Sequence, residues 1–206
     1  MPLDFTAIDF ETANGSPASA CAVGLVRVRD GREAESRRLL LRPPAGHDEF
    51  RPVNVALHGI GPVDVLAAPA WPEALPELLD AIGEDVLVAH NARFDLGVLA
   101  ASCLAHGLRP PTVRAFCTLR AARAVYRLRR HRLPEAARAA GFTGLRHHDP
   151  VSDARAAAAI VTDAARRSGA DSLTALALAL RVPVERWFAE PDPAACEDLI
   201  RSATLA

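Results

Sequence analysis

The chain has 206 residues, half of them apolar and only 5% aromatic, enough to fill one close-packed core with Ala, Leu and Val and unlike a disordered composition. The formal net charge is -1 and all 24 basic side chains are Arg, which excludes a uniformly basic nucleic-acid-binding module; a polyanion would have to be held by a local patch or by bridging metal. Cys21, Cys103, Cys117 and Cys196 are far apart with no C-x-x-C pair, which argues against a zinc site or disulfide framework and for free thiols in a reducing compartment.

Leu3 to Phe10 is a short apolar run that reads as a buried strand. Ala20 to Arg29 alternates, Asp30-Gly31 marks a hairpin turn, and a third strand is expected from about Glu35 to Leu41. From Pro43 to Ala70 the chain is rich in Pro, Gly and His, a long ordered loop with a short helix. Trp71-Pro72 opens a helix that Gly83 ends, and Val86 to Ala89 is an apolar strand. Asn91 is the expected N-cap of a buried helix running to Gly107. Val113 to Cys117 is extended, and Thr118 is the expected cap of a helix to about Arg127. Leu133 to Ala140 is helical, Ser152 or Asp153 starts a long Ala-rich helix ended by Gly169, Ser172 caps Leu173 to Leu180, and a last short helix follows Pro193. A strand meander followed by alternating helices and strands predicts an α/β fold with a mixed sheet flanked by helices. No signal segment or bilayer-spanning run is visible at the sequence level, so no membrane association is expected and the cytoplasm is the expected location.

Three acidic segments carry the chemistry. Asp9 and Glu11 are two apart on a strand, so they share a face, and burying two like charges there is costly without a cation. Asp95 follows Asn91 at a strand-to-helix junction. His148 and Asp153 are five apart, about 140° on a continuous helix, so Pro150 must separate a loop His from a helical Asp for both to reach one site. Singly, each segment is ordinary: a strand end at solvent, an acid favoured by a helix dipole, a solvated loop. Together they supply four carboxylates and an imidazole. That set suits two ions of Mg²⁺ or Mn²⁺, a recurrent device for phosphodiester cleavage.

Asp9-Phe10-Glu11-Thr12, Asn91-Ala92-Arg93-Phe94-Asp95 and His148-x-x-x-x-Asp153 resemble the three Exo motifs of DEDDh (DnaQ-like) 3′→5′ exonucleases, the family that includes the proofreading epsilon subunit of bacterial DNA polymerase III. The resemblance covers about residues 3 to 168. It implies an RNase H-like fold with a five-stranded mixed sheet, an exonuclease domain over 1–168 and a helical extension over 169–206. By position it implies that Asp9, Glu11, Asp95 and Asp153 bind two divalent ions and that His148 is the general base. His147 competes for that role, and only the spacing to Asp153 separates the two. A tyrosine-type relative would carry Tyr where this chain has Asp149, so the histidine subclass is favoured. Thr12 resembles a residue contacting the terminal nucleotide, and Leu57-His58-Gly59-Ile60 resembles a loop near the 3′ end, although Gly61 replaces the usual Thr. Thr12, His58 and Asn91 are therefore the candidate substrate-binding residues.

The implied substrate is a nucleic acid with a free 3′ end, single-stranded DNA by preference, cleaved to mononucleotides. An RNA 3′ exonuclease of oligoribonuclease or RNase T type is the alternative, and an inactive nucleic-acid-binding or interaction module is the alternative of another class. The run Arg114, Arg120, Arg123, Arg127, Arg129, Arg130 and Arg132 is either a solvated face or a phosphate-steering surface. The chain has no Gln and so no Gln-led clamp-binding motif, which leaves a polymerase association unsupported.

Overall fold

The computed structural model describes residues 3–188 and residue 201. Strand β1 (Phe5–Thr12) pairs antiparallel with β2 (Ala20–Arg29), which pairs antiparallel with β3 (Arg32–Leu40). Asp30 and Gly31 both have positive φ, as the tight hairpin turn demands. Helices α1 (Pro52–His58) and α2 (Trp71–Ile82) follow, then β4 (Val86–Ala89), α3 (Ala92–Ala105) and β5 (Val113–Cys117). Next come α4 (Thr118–Val125), α5 (Leu133–Ala139), α6 (Pro150–Ser168), α7 (Leu173–Leu180) and β6 (Glu185–Trp187).

The sheet is mixed, with order β3-β2-β1-β4-β5-β6. It therefore has six strands rather than the five implied by resemblance. The extra one, β6, lies in the segment read as purely helical and pairs antiparallel with β5. The helix expected after Pro193 lies outside the described residues, as does Cys196. Cys21, Cys103 and Cys117 are free thiols, the first two buried. No described helix is long and apolar enough to cross a membrane.

Alternation along β1 divides the core. Ile8 and Phe10 face a cluster with Trp71, Leu78, Leu96 and Leu99 of α2 and α3. Phe5 and Ala7 face the other way, against Ala154, Ala158, Val161 and Ala164 of α6, a cluster that also takes in Leu173 and Leu176 of α7. Asp9 and Glu11 continue that second face beyond the point where α6 begins.

Helix starts differ from the caps expected. Asn91 occupies the cap position of α3 but in the left-handed conformation, φ 67°, with no side-chain capping bond. Thr118 is the first residue of α4 instead of its cap, and its hydroxyl meets His90 Nδ1 at 2.9 Å. Helix α6 starts at Pro150, with Asp149 as its cap accepting from the Ser152 amide. At α4 a tertiary partner, His90, and at α6 a nearer acid, Asp149, takes the hydrogen bond that local pattern assigned elsewhere.

Strand β2 meets the start of α6 with no room for a side chain. A Cβ built on Gly24 would lie 2.1 Å from the Pro150 carbonyl carbon. Gly24 is also the partner of Asp9 in the ladder, so this contact sets the height of α6 above the acids. Gly24→Ala is expected to force α6 outward and cost about 1–3 kcal/mol of stability, as overpacking does. Urea denaturation of the two proteins measures the difference.

Candidate active site

Parallel pairing of β1 with β4 extends only over Thr6–Leu87 and Ala7–Val88, after which β4 ends and the chain turns into α3. Beyond Ala7 the β4-side edge of β1 is open. Asp95, in the first turn of α3, fills the gap: its Oδ1 accepts the Phe10 N–H at 3.1 Å. From the other side α6 brings Asp153. One oxygen each of Asp9, Glu11 and Asp153 lie within 4.8 Å of one another. The three acidic segments of the sequence thus meet at the carboxyl ends of β1 and β4, beside the strand-order crossover, where α/β sheets gather ligands.

Glu11, Asp95 and Asp153 are buried and Asp9 is half-buried. Among the described residues no Arg forms an ion pair with any of the four. Burial first, then the Asp153 and Asp95 charges, push the Glu11 carboxyl up to about 8. Burial also raises Asp95 to about 8, with Asp153 adding to the shift and the Phe10 amide opposing it. Asp9 is held well above the usual carboxylate range by burial, then by Asp95, Asp153 and Glu11. Asp153 Oδ1 is buried without a hydrogen-bond partner. Converging hard oxygens, one of them unpaired, and no neutralising cation side chain fit a divalent metal ion.

The two histidines are divided in role. His147 Nδ1 is 2.8 Å from Asp153 Oδ2, and a carboxylate only accepts, so His147 donates there. The same Oδ2 accepts the His148 backbone N–H at 2.9 Å. Residue His148 stands at φ 69°, off the helix as the Pro150 argument requires. Its ring stacks on His147 at 3.8 Å between centroids, carries no hydrogen bond among the described residues, and has Nδ1 3.9 Å from Glu11 Oε1. Burial and then the His147 charge lower its pKa from the ordinary value.

Asp9, Glu11, Asp153, His147 and His148 line a cavity of about 630 Å³, whereas Asp95 is not part of its lining and is tied to the cluster through the Phe10 amide. Residues 6–161 match the family model described as Exonuclease, of RNase T type. The chain belongs to the DEDDh 3′→5′ exonuclease family. It is 33% identical over 129 residues, 59% of its length, to a Mycobacterium tuberculosis protein described as a bifunctional exonuclease/endonuclease. The chain spans a fifth or less of the length of the curated relatives it matches. Among solved structures it is similar to exonuclease X in complex with 5′-overhanging duplex DNA, with TM-score 0.65 and 25% identity over 80% of this chain and 93% of that one. The nuclease domain of 3′hExo, a DEDDh member bound to rAMP, shares the fold at TM-score 0.69 and 16% identity, covering 81% and 94% of the two chains. Divalent metal use goes with the DEDDh family, and the acid cluster is consistent with it.

Thr12, His58 and Asn91 all line the cavity. The ring nitrogens of His58 are already committed: Nε2 donates to the Thr12 carbonyl at 3.2 Å and Nδ1 accepts the Ile60 amide at 3.0 Å. The Thr12 carbonyl also accepts from Asn54 at 3.0 Å, so this histidine braces the end of β1. The arginine run splits. Arg123 and Arg132 line the cavity, whereas Arg114 donates to the Glu84 carbonyl and Arg120 pairs with Glu185.

Several polar cavity residues were missed in the sequence, among them Asn14, Asn54, His131 and His90. His90 Nε2 donates to the His131 carbonyl at 2.9 Å, tying β4 to the segment that carries Arg132. Burial lowers His90 to about 4, so it is neutral near pH 7 with its proton on Nε2 and accepts from Thr118 at Nδ1. Its place next to Asn91 was the available signal.

The shifted groups give the DEDDh chain a distinctive pH response. A carboxyl whose folded pKa is raised holds its proton longer in the folded state, so its contribution is full below about 4 and is lost as pH rises towards about 8. The lowered histidines act in the opposite direction, but only below their unfolded value near 6.5. Asp163 and Glu33, both lowered, act only at acid pH. Between about pH 6.5 and 8 the metal-free protein should therefore lose stability as pH rises. Manganese should flatten that slope by favouring the ionised carboxylates. Thermal melts across this window, with chelator and with Mn²⁺, check both signs.

Proposed function

We propose that this chain is a metal-dependent 3′→5′ exonuclease that removes mononucleotides from single-stranded DNA ends, with two ions of Mg²⁺ or Mn²⁺. The observation that carries this reading is the meeting of Asp9, Glu11 and Asp153 within 4.8 Å, with Asp95 beside them and Asp153 Oδ1 buried and unpartnered. Catalysis is assigned to residues 1–168. The extension from residue 169 adds α7 and β6 to the same core.

In this reading Asp9, Glu11, Asp95 and Asp153 hold the ions. When bound, the ions supply a positive field that acidifies the attacking water and stabilises charge on the leaving 3′ oxygen. Hydrolysis forms a new P–O bond from water and breaks the P–O3′ bond, releasing a nucleoside 5′-monophosphate and a new 3′ hydroxyl. His148, with both ring nitrogens free of hydrogen bonds among the described residues, takes the water's proton. Its lowered pKa keeps it neutral, as a base must be. His147 holds Asp153 by its Nδ1–H and so fixes one carboxylate oxygen while leaving the other unpaired. Thr12 and Asn91 border the terminal nucleotide, and Leu57 and Phe94 give the cavity apolar walls for its base.

A 5′-labelled single-stranded oligonucleotide incubated with Mn²⁺ or Mg²⁺ should shorten one nucleotide at a time, and a chelator should stop it. Asp153→Asn should abolish turnover. His148→Ala should lower kcat by on the order of 10²–10⁴, the range for a lost general base, and His147→Ala by less. Cleavage that survives chelator, starts at the 5′ end or is unaffected by Asp153→Asn would reject the assignment. Faster turnover of a matched RNA strand would move the substrate to RNA.

A further inference from the structure

The catalytic cavity has a neighbour. A second groove, of about 230 Å³, lies between the start of α3, the end of β5 and strand β6. Asn91, Leu119 and Arg123 line both, so the two share a wall and a strand leaving one can enter the other. Arg93, Arg120, Glu185 and Trp187 complete the second groove.

Its chemistry is opposite to that of the cavity. Three guanidinium groups, of Arg93, Arg120 and Arg123, face one carboxylate, Glu185, which Arg120 pairs at 2.6 Å. Arg123 is exposed and forms no ion pair among the described residues, and neither does Arg93. The half-buried Trp187 sits opposite Val113 in the ladder, with the Arg93 guanidinium 5.9 Å from its ring centroid. A half-buried ring with one arginine over it and a second unpaired arginine in the same groove is an arrangement that can take a stacked base and its flanking phosphates with little regard for sequence. The acids Asp9, Glu11 and Asp153 that line the cavity offer phosphate no positive charge until metal is bound, and the chain as a whole carries a net charge of -1. Attraction for a polyanion has to come from a local positive surface, and this groove supplies one that touches the cavity. Anchoring β6 alone would need neither Arg93 nor Arg123, because the pairing with β5 and the packing of Val182 into the core already hold that segment.

We propose that this groove is a subsite for single-stranded nucleic acid upstream of the scissile end, with a base against Trp187 and phosphates on Arg93 and Arg123. The proposal rests on the exonuclease reading of the adjoining cavity. It implies that affinity depends on strand length, because a strand long enough to occupy both cavity and groove gains contacts that a dinucleotide held at the acids does not.

The chain has two tryptophans, and Trp71 is 3% exposed in the core with its Nε1 on Cys103. Fluorescence quenching by an oligonucleotide therefore reports Trp187. With EDTA present to prevent turnover, a thymidine dodecamer should quench the emission and bind more tightly than a thymidine dinucleotide. Trp187→Phe should remove the quenching. In turnover assays with Mn²⁺, Trp187→Leu and Arg93→Ser should each raise KM for the dodecamer about tenfold relative to KM for the dinucleotide, the loss expected from one stacked base or its phosphate contact. Arg93 is an exposed residue of α3, so its replacement probes the groove without disturbing β6. Equal affinity for the two lengths, or quenching that persists in Trp187→Phe, overturns the subsite while leaving the catalytic reading intact. Length-dependent quenching in a protein that hydrolyses neither strand supports the groove and overturns the catalytic reading instead.

Discussion

Helix α6 rests on β2 at Gly24, where any side chain would meet the Pro150 backbone, and the approach of Asp153 to the acids of β1 depends on that contact. It lets an Ala-rich helix settle onto the sheet and bury Ala154, Ala158, Val161 and Ala164 against Phe5, Ala7, Val26 and Val28. Burying side chains of the Val and Phe class contributes about 1.5–3 kcal/mol each. That apolar seam holds the first turn of α6 in place, although the turn carries Asp153 towards two other carboxylates. The protein meets the resulting repulsion by protonation: Glu11 and Asp95 both titrate near 8 in the metal-free state. Packing and electrostatics are thus set against each other, and a divalent ion is the species that reconciles them.

This opposition explains what could be read from the sequence. Asp9 and Glu11 at a strand end, Asp95 past a strand end and His148 five before Asp153 were each ordinary taken singly, and became legible as a site only as a set of four carboxylates and an imidazole. The family pattern then joined them. The hairpin at Asp30-Gly31 and the long helices were legible because turn chemistry and periodicity are local. Strand β6 was not. Glu185-Arg186-Trp187 has three residues, no alternation of apolar and polar, and a reason to be extended only because the β5 edge lies beside it. Ser172 caps α7 as expected, but the caps of α4 and α6 were misplaced for a related cause. A sequence shows which side chains can cap but not which tertiary partner will claim them, and His90 claims Thr118.

The tandem His147-His148 shows where spacing ends and geometry takes over. Both side chains lie within reach of Asp153, and a count of residues cannot separate them. The backbone does. At φ 69° His148 turns the chain so that its amide serves Asp153 while its ring is left without a hydrogen bond among the described residues, and the residue before it spends its Nδ1 proton on the same carboxylate oxygen. A left-handed conformation is tolerated by His better than by most side chains, yet it still carries strain, and the hydrogen bond to Asp153 is what keeps it there. Loss of that carboxylate therefore removes the partner of both His147 and the His148 amide and releases the loop that carries them.

The same economy of contacts governs the other wall of the cavity. His90 is buried and neutral, and its single proton goes to the His131 carbonyl, so the arginine-bearing segment after α4 is fastened to the end of β4. Arg132 reaches the cavity from that braced segment and Arg123 from α4, whereas Arg127, Arg129 and Arg130 of the same run are exposed. A run of like charges in sequence has become two cavity-lining groups, two groups held by Glu84 and Glu185, and an exposed remainder. Positive charge is placed at the rim and negative charge at the floor. A strand approaching this surface meets attraction before it meets the acids, and the acids meet it with their charge compensated only when metal is present.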